Sequence, residues 1–178
     1  MVSESSDEAG DFFAVLVQEH AGMEARLRTL DRAADSLSRT ESDPAALGVI
    51  AETLEFFATE GARHEAHEEL TLFPRLRPLP EFKQILVAMD FQHRMNGVAG
   101  VELAACVNHF APGSGRELRR LATRFVEMHR GHVVAEERAV FPTAAAALSA
   151  EALAEMGREM RERRKAGELR IPIPPRTM

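Results

Sequence analysis

The 178-residue chain has a single cysteine, no tryptophan and no tyrosine. One thiol, Cys106, excludes an internal disulfide and is compatible with a reducing compartment. No apolar run approaches the roughly 20 residues that a membrane span needs. The N-terminal stretch MVSESSDEAGD is acidic and polar, and it does not resemble a signal peptide. We therefore expect a cytoplasmic protein that does not bind membranes.

β-Branched residues are also sparse, whereas Ala, Leu, Glu, Arg and Met are plentiful. Such a composition favours helices over strands. The formal net charge of −6 leaves no basic footprint for nucleic acid. No GxGxxG, Walker or G-x-S-x-G motif is present. These absences argue against nucleic acid or a nucleotide as a partner and against a serine nucleophile.

Hydrophobic periodicity predicts four long helices and a short, charged fifth helix on the outside. Asp43 or Ser42 is expected to cap the second helix, with Pro44 at its first position. Pro74, Pro78 and Pro80 are expected to end the second helix, and Pro142 to end or kink the fourth. The predicted helical ranges are residues 7–38, 44–73, 81–110, 115–141 and 149–165.

This pattern predicts an all-α protein with an up-down-up-down four-helix bundle, because short links favour antiparallel neighbours. The bundle is assigned to residues 10–147. A polar N-terminal segment, residues 1–9, precedes it. A C-terminal helix and an irregular tail, residues 148–178, follow it.

The second and fourth helices share the motif H-x-x-x-E-E-x-x-[LV]-F-P, which begins at His64 and again at His132. Residues four apart lie on one face of a helix, so each His and the first Glu of its motif can reach the same ion. The second Glu, Glu69 or Glu137, lies about 140° around the helix and is expected at the surface. The Phe-Pro pairs are expected to stop the helices and to pack a Phe under the site.

The first and third helices each carry one His on an otherwise apolar stripe. Burying six such polar groups without compensation would cost several kcal/mol each, and bound cations remove that cost. The sequence therefore predicts a two-ion site in which each ion has about two His ligands and the carboxylates bridge. Mixed His and Glu ligation suits iron, manganese or zinc rather than magnesium or calcium. The predicted ligands are His20, His64, Glu68, His93, His132 and Glu136.

At these residues the chain resembles the hemerythrin-like, or HHE cation-binding, family across about residues 10–145. The resemblance implies a non-haem di-iron centre, bridged by carboxylates and an oxo or hydroxo group, in a four-helix bundle. Oxygen-carrying hemerythrins have a second His one turn after the lone His of the third helix, where this chain has Gly97. They also end with His and Asp five apart, whereas His132 and Glu136 are four apart. The chain is closer to sensor and regulatory members, and Gly97 is expected to leave room for a small ligand.

Other polar residues near the stripes leave alternatives open. Glu65 is a candidate side ligand, and His67 and His129 are candidate outer partners or boundary residues. His109 is expected at the surface, and Cys106 is expected to behave as a small apolar residue.

Three functions are considered for a bundle with these residues. The first is a protein that binds or senses dioxygen, another small ligand or iron, with no named protein partner. The second is a di-iron enzyme that acts on peroxide, dioxygen or nitric oxide, and the third is a metal-free structural bundle. The sequence shows no extra acid or base near the site, which favours the first. Metal affinity is expected to fall below roughly pH 6, as the histidines protonate.

Overall fold

The computed structural model describes residues 11–40 and 42–166, which form five helical stretches and contain no strand. Helix α1 is Asp11–Arg39. Helix α2 covers residues 44–76 and is built from α-helical Pro44–Phe56, Ala62–His67 and Phe73–Leu76, joined by π-helical turns at Phe57–Gly61 and Glu68–Leu72. The predicted start of the first helix, at residue 7, lies outside the described residues.

After a 3₁₀ turn at Pro80–Phe82, helix α3 is Lys83–Asn108. Helix α4 covers residues 115–147, as α-helical Gly115–Ala135, a π-helical turn at Glu136–Val140 and α-helical Phe141–Ala147. Helix α5 is Ala150–Ala166. Helix α1 packs against α2 and α4, and α3 also packs against α2 and α4.

Capping begins α2 where the sequence predicts. The Asp43 carboxylate accepts a hydrogen bond from the backbone N–H of Ala46 at 3.0 Å, and Pro44 occupies the first turn. The missing N–H of Pro44 costs no hydrogen bond there, because the first N–H groups of a helix have no intrahelical acceptor.

The second and fourth helices extend past residues 73 and 141, at which their predicted ranges end. Helix α2 continues past Pro74 to Leu76, and α4 continues past Pro142 to Ala147. A π-helical turn precedes each proline, and in it Phe73 and Phe141 donate to the carbonyls five residues back. A proline ring clashes with the carbonyl four residues back in a regular α-helix. The wider turn is a way to accommodate that ring without ending the helix.

The turn between α3 and α4 brings two backbones close together. Gly113 has φ of +91°, which favours glycine because other residues are strained there. Gly115 sits against the backbone of Leu37 at the end of α1. The break between the predicted helical ranges, from residue 110 to residue 115, is therefore confirmed, and Gly115 provides the close approach.

The apolar core has two parts. One includes Leu27, Leu30 and Phe125, and the other includes Phe12 and Leu72. Burying each such side chain contributes about 1.5–3 kcal/mol. The predicted polar residues lie between these two parts along α1 to α4, so the bundle packs them from both sides.

Helix α5 is not a purely external helix. Its Met156 and Met160 are buried in the second part of the core. Arg75 of α2 pairs with Glu159 of α5 at 2.7 Å. In the described ranges, no helix combines the length and apolar character needed to cross a bilayer.

Candidate metal centre

Helices α1 to α4 bring together all six predicted ligands. Helix α1 supplies one His, α3 supplies one His, and α2 and α4 each supply a His and a Glu. Each of the six residues is at most 5% exposed. The residues are His20, His64, Glu68, His93, His132 and Glu136.

Their donor atoms form two groups that share both carboxylates. We define the first position as His20 and His64 with Glu68 and Glu136, and the second position as His93 and His132 with the same two carboxylates. In each group the donor atoms all lie within 4.8 Å of one another. Shared carboxylates between two pairs of imidazoles are what a bridged two-ion centre requires.

The imidazoles point their Nε2 atoms at the centre of each group. At the first position, Nε2 of His20 and Nε2 of His64 are 3.0 Å apart, and Nε2 of His20 is 3.2 Å from a Glu136 oxygen. Nε2 of His64 is 3.3 Å from Glu68.

The second position has matching distances. Nε2 of His93 and Nε2 of His132 are 3.1 Å apart, and Nε2 of His93 is 3.2 Å from Glu68. Nε2 of His132 is 2.9 Å from Glu136. Two donors bound to one ion at about 2.1 Å lie at most about 4.2 Å apart, so these spacings fit metal ligation.

The carboxylates of Glu68 and Glu136 carry the strongest sign of a cation site. Both residues are fully buried, and within the described part of the chain none of their four oxygens accepts a hydrogen bond. Buried carboxylates are costly unless they are paired or bind a metal. The imidazoles lie at ion-pair distance without hydrogen-bond geometry, so the donor set fits a bound cation.

A second layer of side chains holds each imidazole by its other nitrogen. The Nδ1 atoms of His20, His64 and His93 contact the carboxylates of Glu137, Glu19 and Glu69 at 2.9, 3.0 and 2.8 Å, and Nδ1 of His132 contacts the Gln92 amide oxygen at 2.9 Å. Such contacts hold the ring so that Nε2 faces the ion.

This layer was largely missed by the sequence analysis. Glu69 and Glu137 are 48% and 39% exposed, as expected, but their carboxylates reach the imidazoles. Glu19 and Gln92 were not predicted at all. The sequence does mark these residues: Glu19 and Gln92 each directly precede the lone His of their helix, and both motifs carry a second Glu.

A family model matches most of the chain. The hemerythrin HHE cation-binding domain matches residues 11–144. The chain belongs to this family. A search of curated proteins finds no match. The HHE domain thus belongs to a cation-binding family, and its buried His and Glu groups are suited to hold metal ions.

The Phe residues of the two motifs lie beneath the centre, as predicted. The Phe73 ring stacks on His93 at 5.7 Å, and the Phe141 ring stacks on His20 at 5.6 Å. Each ring restricts the orientation of an imidazole, so the Phe-Pro pairs position the site although they do not end the helices.

Three of the six predicted ligands of the HHE domain have shifted pKa values in the metal-free structure. Burial opposes protonation of His64, but Glu68 and Glu19 outweigh it and raise its pKa to about 10. Burial is likewise outweighed at His93, where contacts with Glu68 and Glu69 raise the pKa to about 11. For Glu68, burial favours the neutral acid, but the two imidazoles outweigh it and hold its pKa well below the usual range.

The remaining histidines lie outside both positions. His67 is buried, its Nδ1 is 3.2 Å from an Arg163 nitrogen, and burial lowers its pKa to about 4. His129 is buried, its Nδ1–H donates to the Phe125 carbonyl, and burial lowers its pKa to about 4. His109 is exposed, as expected.

A cavity of about 580 Å³ opens beside the centre. Its walls are mostly apolar, and His64, His132 and Gly97 line it. Glu65 lines it as well, and burial raises the pKa of that carboxyl. One oxygen of Glu65 also lies within 4.8 Å of donor atoms of Glu69 and His93. The HHE domain therefore combines space for a small ligand with an acid beside that space.

Proposed function

We propose that the HHE domain holds two metal ions, iron foremost, and uses them to bind or sense dioxygen, another small ligand or iron. Manganese and zinc suit the same donors. The observation that carries the proposal is the pair of buried carboxylates, shared by two pairs of imidazoles, whose oxygens accept no hydrogen bond in the described residues. The proposed ligands are His20, His64, Glu68, His93, His132 and Glu136.

We further propose an up-down-up-down arrangement of α1 to α4 within residues 10–147, with residues 1–9 and 148–178 outside the bundle. Support comes from the site itself, because each of the four helices supplies at least one inward-facing donor. The contacts of α1 and α3 with both α2 and α4 are also those of a bundle.

The chain's own residues give the proposed centre its properties. Glu19, Glu69, Glu137 and Gln92 orient the imidazoles, and the apolar wall of the cavity limits water. When bound, an iron pair supplies Lewis acidity and one-electron redox chemistry. An apolar cavity beside it favours reversible binding of a small, weakly polar molecule.

Glu65 supports an oxidoreductase as the second candidate. A carboxyl beside a ligand cavity, whose pKa burial raises, is placed to take part in proton transfer, which reversible binding does not require. A Glu65→Gln variant tests this role. It should leave dioxygen uptake by the reduced protein unchanged if the domain is a binder. It should reduce peroxide turnover about 100-fold or more if Glu65 transfers the proton.

Metal content per chain tests the proposal directly. We expect about two irons per chain after anaerobic reconstitution, measured by elemental analysis. His64→Gln should bind fewer ions, because the first position loses a donor. His67→Gln is the matched control, since it removes a buried histidine outside both positions. An iron-free wild type after reconstitution would favour the metal-free structural bundle and reject the proposed centre.

A further inference from the structure

The outer layer around the two positions is not symmetric. At the first position both imidazoles contact carboxylates, from Glu137 and Glu19. At the second position, His93 contacts the carboxylate of Glu69, but His132 contacts the neutral amide of Gln92. Glu19 and Gln92 occupy equivalent places, each directly before the lone His of its helix. The carboxylates that contact imidazole Nδ1 atoms thus number two at the first position and one at the second.

A carboxylate and an amide differ in how they fix the tautomer of the imidazole that they contact. An ionised carboxylate only accepts hydrogen bonds, so Glu19 requires a proton on Nδ1 of His64 and leaves the Nε2 lone pair free for an ion. An amide offers both an acceptor oxygen and a donor nitrogen, so Gln92 does not impose either tautomer on His132. A carboxylate partner also makes the imidazole a stronger ligand than a neutral partner does.

Glu19 is placed to exert this effect strongly. It is only 14% exposed, against 39% for Glu137 and 48% for Glu69. Charges interact more strongly where water is excluded. Its second oxygen accepts a hydrogen bond from Arg164 of α5 at 2.6 Å, which fixes the carboxylate against His64.

We propose that the two positions are unequal and that the first position, between His20 and His64, binds its ion more tightly than the second. This inference rests on the proposed two-ion centre. It assigns Glu19 and Gln92 as positioning residues that set the affinity of each position through the imidazole they contact.

Stepwise metal titration of two charge-swapped variants tests the inference. Binding of Zn²⁺ to metal-free protein is measured by calorimetry at one pH. Two cations also repel each other, so unequal steps in the wild type alone would prove nothing. Glu19→Gln should lower the association constant of the tighter Zn²⁺ binding step by about 10–100-fold. Gln92→Glu should raise the association constant of the weaker step by a similar factor. Either change should bring the two steps closer together.

Two further measurements identify the positions. The double variant Glu19→Gln/Gln92→Glu should separate the steps again with the positions exchanged. Crystals grown with one equivalent of Co²⁺ should show the anomalous peak at the first position in the wild type and at the second in the double variant. Gln18→Glu is the charge control, because it adds the same charge on an exposed face. It should leave both steps unchanged.

Each outcome decides a separate point. Two bound ions with a step separation that neither variant changes would overturn the inference and leave the two-ion centre standing. A first ion at the second position of the wild type would do the same. Failure of the wild type to bind Zn²⁺ at all would reject the centre and the inference together.

Discussion

Metal loading of this HHE domain should release protons. In the metal-free protein the pKa of His64 is about 10 and that of His93 about 11. At pH 7.5 both imidazoles therefore carry a second proton in nearly every molecule. A bound ion takes the Nε2 lone pair, so each of these histidines must lose that proton on binding. At least two protons per chain should appear when two ions bind.

The sign of the pH dependence follows from the same values. A raised pKa in the folded state stabilises the metal-free protein fully below about pH 6.5, and this stabilisation is lost as the pH rises through about 10 and 11. Metal binding has the opposite dependence, because it competes with these protons. The product of the two apparent association constants should rise about 100-fold per pH unit between about pH 7 and 9. The sequence alone predicted a decline only below roughly pH 6.

Calorimetry in buffers with different ionisation enthalpies measures the protons directly. The observed binding enthalpy should vary linearly with the buffer's ionisation enthalpy, with a slope that corresponds to two or more protons per chain. His129→Gln is a suitable control. The pKa of His129 is about 4, so this histidine has no second proton to release at pH 7.5. Two ions bound without proton release would refute the protonation states deduced for the metal-free centre.

Other predictions concern stability and are checked by urea unfolding of the metal-free protein. Gly115→Ala should destabilise by about 1–3 kcal/mol, because the added Cβ overlaps the backbone of α1, whereas Gly48→Ala, with open space around its Cβ, should be neutral or stabilise by up to about 1 kcal/mol. Asp43→Ala should cost about 1 kcal/mol through loss of the α2 cap, and an unchanged midpoint would contradict that role. His129, whose pKa is lowered from 6.5 to about 4, stabilises the fold above about pH 6.5 and progressively less toward pH 4. Between pH 7 and pH 5, the free energy of unfolding of the His129→Phe variant should therefore fall by roughly 2 kcal/mol less than that of the wild type. Equal decreases in the two proteins would argue against a buried neutral imidazole.

The helical repeat was sufficient to predict which of the candidate ligand residues lie together. His64 and Glu68 are one turn apart, and the apolar residues on either side define the inward face. The same reasoning applies to His132 and Glu136. Where two such faces meet, their polar residues lie together within an apolar core. Side-chain periodicity therefore predicts the centre without knowledge of the exact packing.

Two features depended on details that periodicity does not contain. The contacts of Glu69 and Glu137 with histidines of other helices depend on the relative heights of the helices and on long side-chain rotamers. The helices continue past Pro74 and Pro142 because a π-helical turn precedes each proline. A rule for regular α-helices treats such prolines as stops. In both motifs the π-helical turn begins at the Glu that faces the centre. Such turns are frequent at functional sites.

Charge balance offers a reason for the outer glutamates beyond orientation. Without metal, the raised pKa values of His64 and His93 keep both imidazoles positively charged beside Glu68. In the proposed two-ion state, two divalent ions would introduce four positive charges between Glu68 and Glu136 and would displace those protons. The excess needs nearby negative charge, which Glu19, Glu69 and Glu137 supply directly behind three of the imidazoles. We therefore infer that the second Glu of each motif would serve the proposed metal-loaded state, in which the inner carboxylates alone would leave the core positively charged.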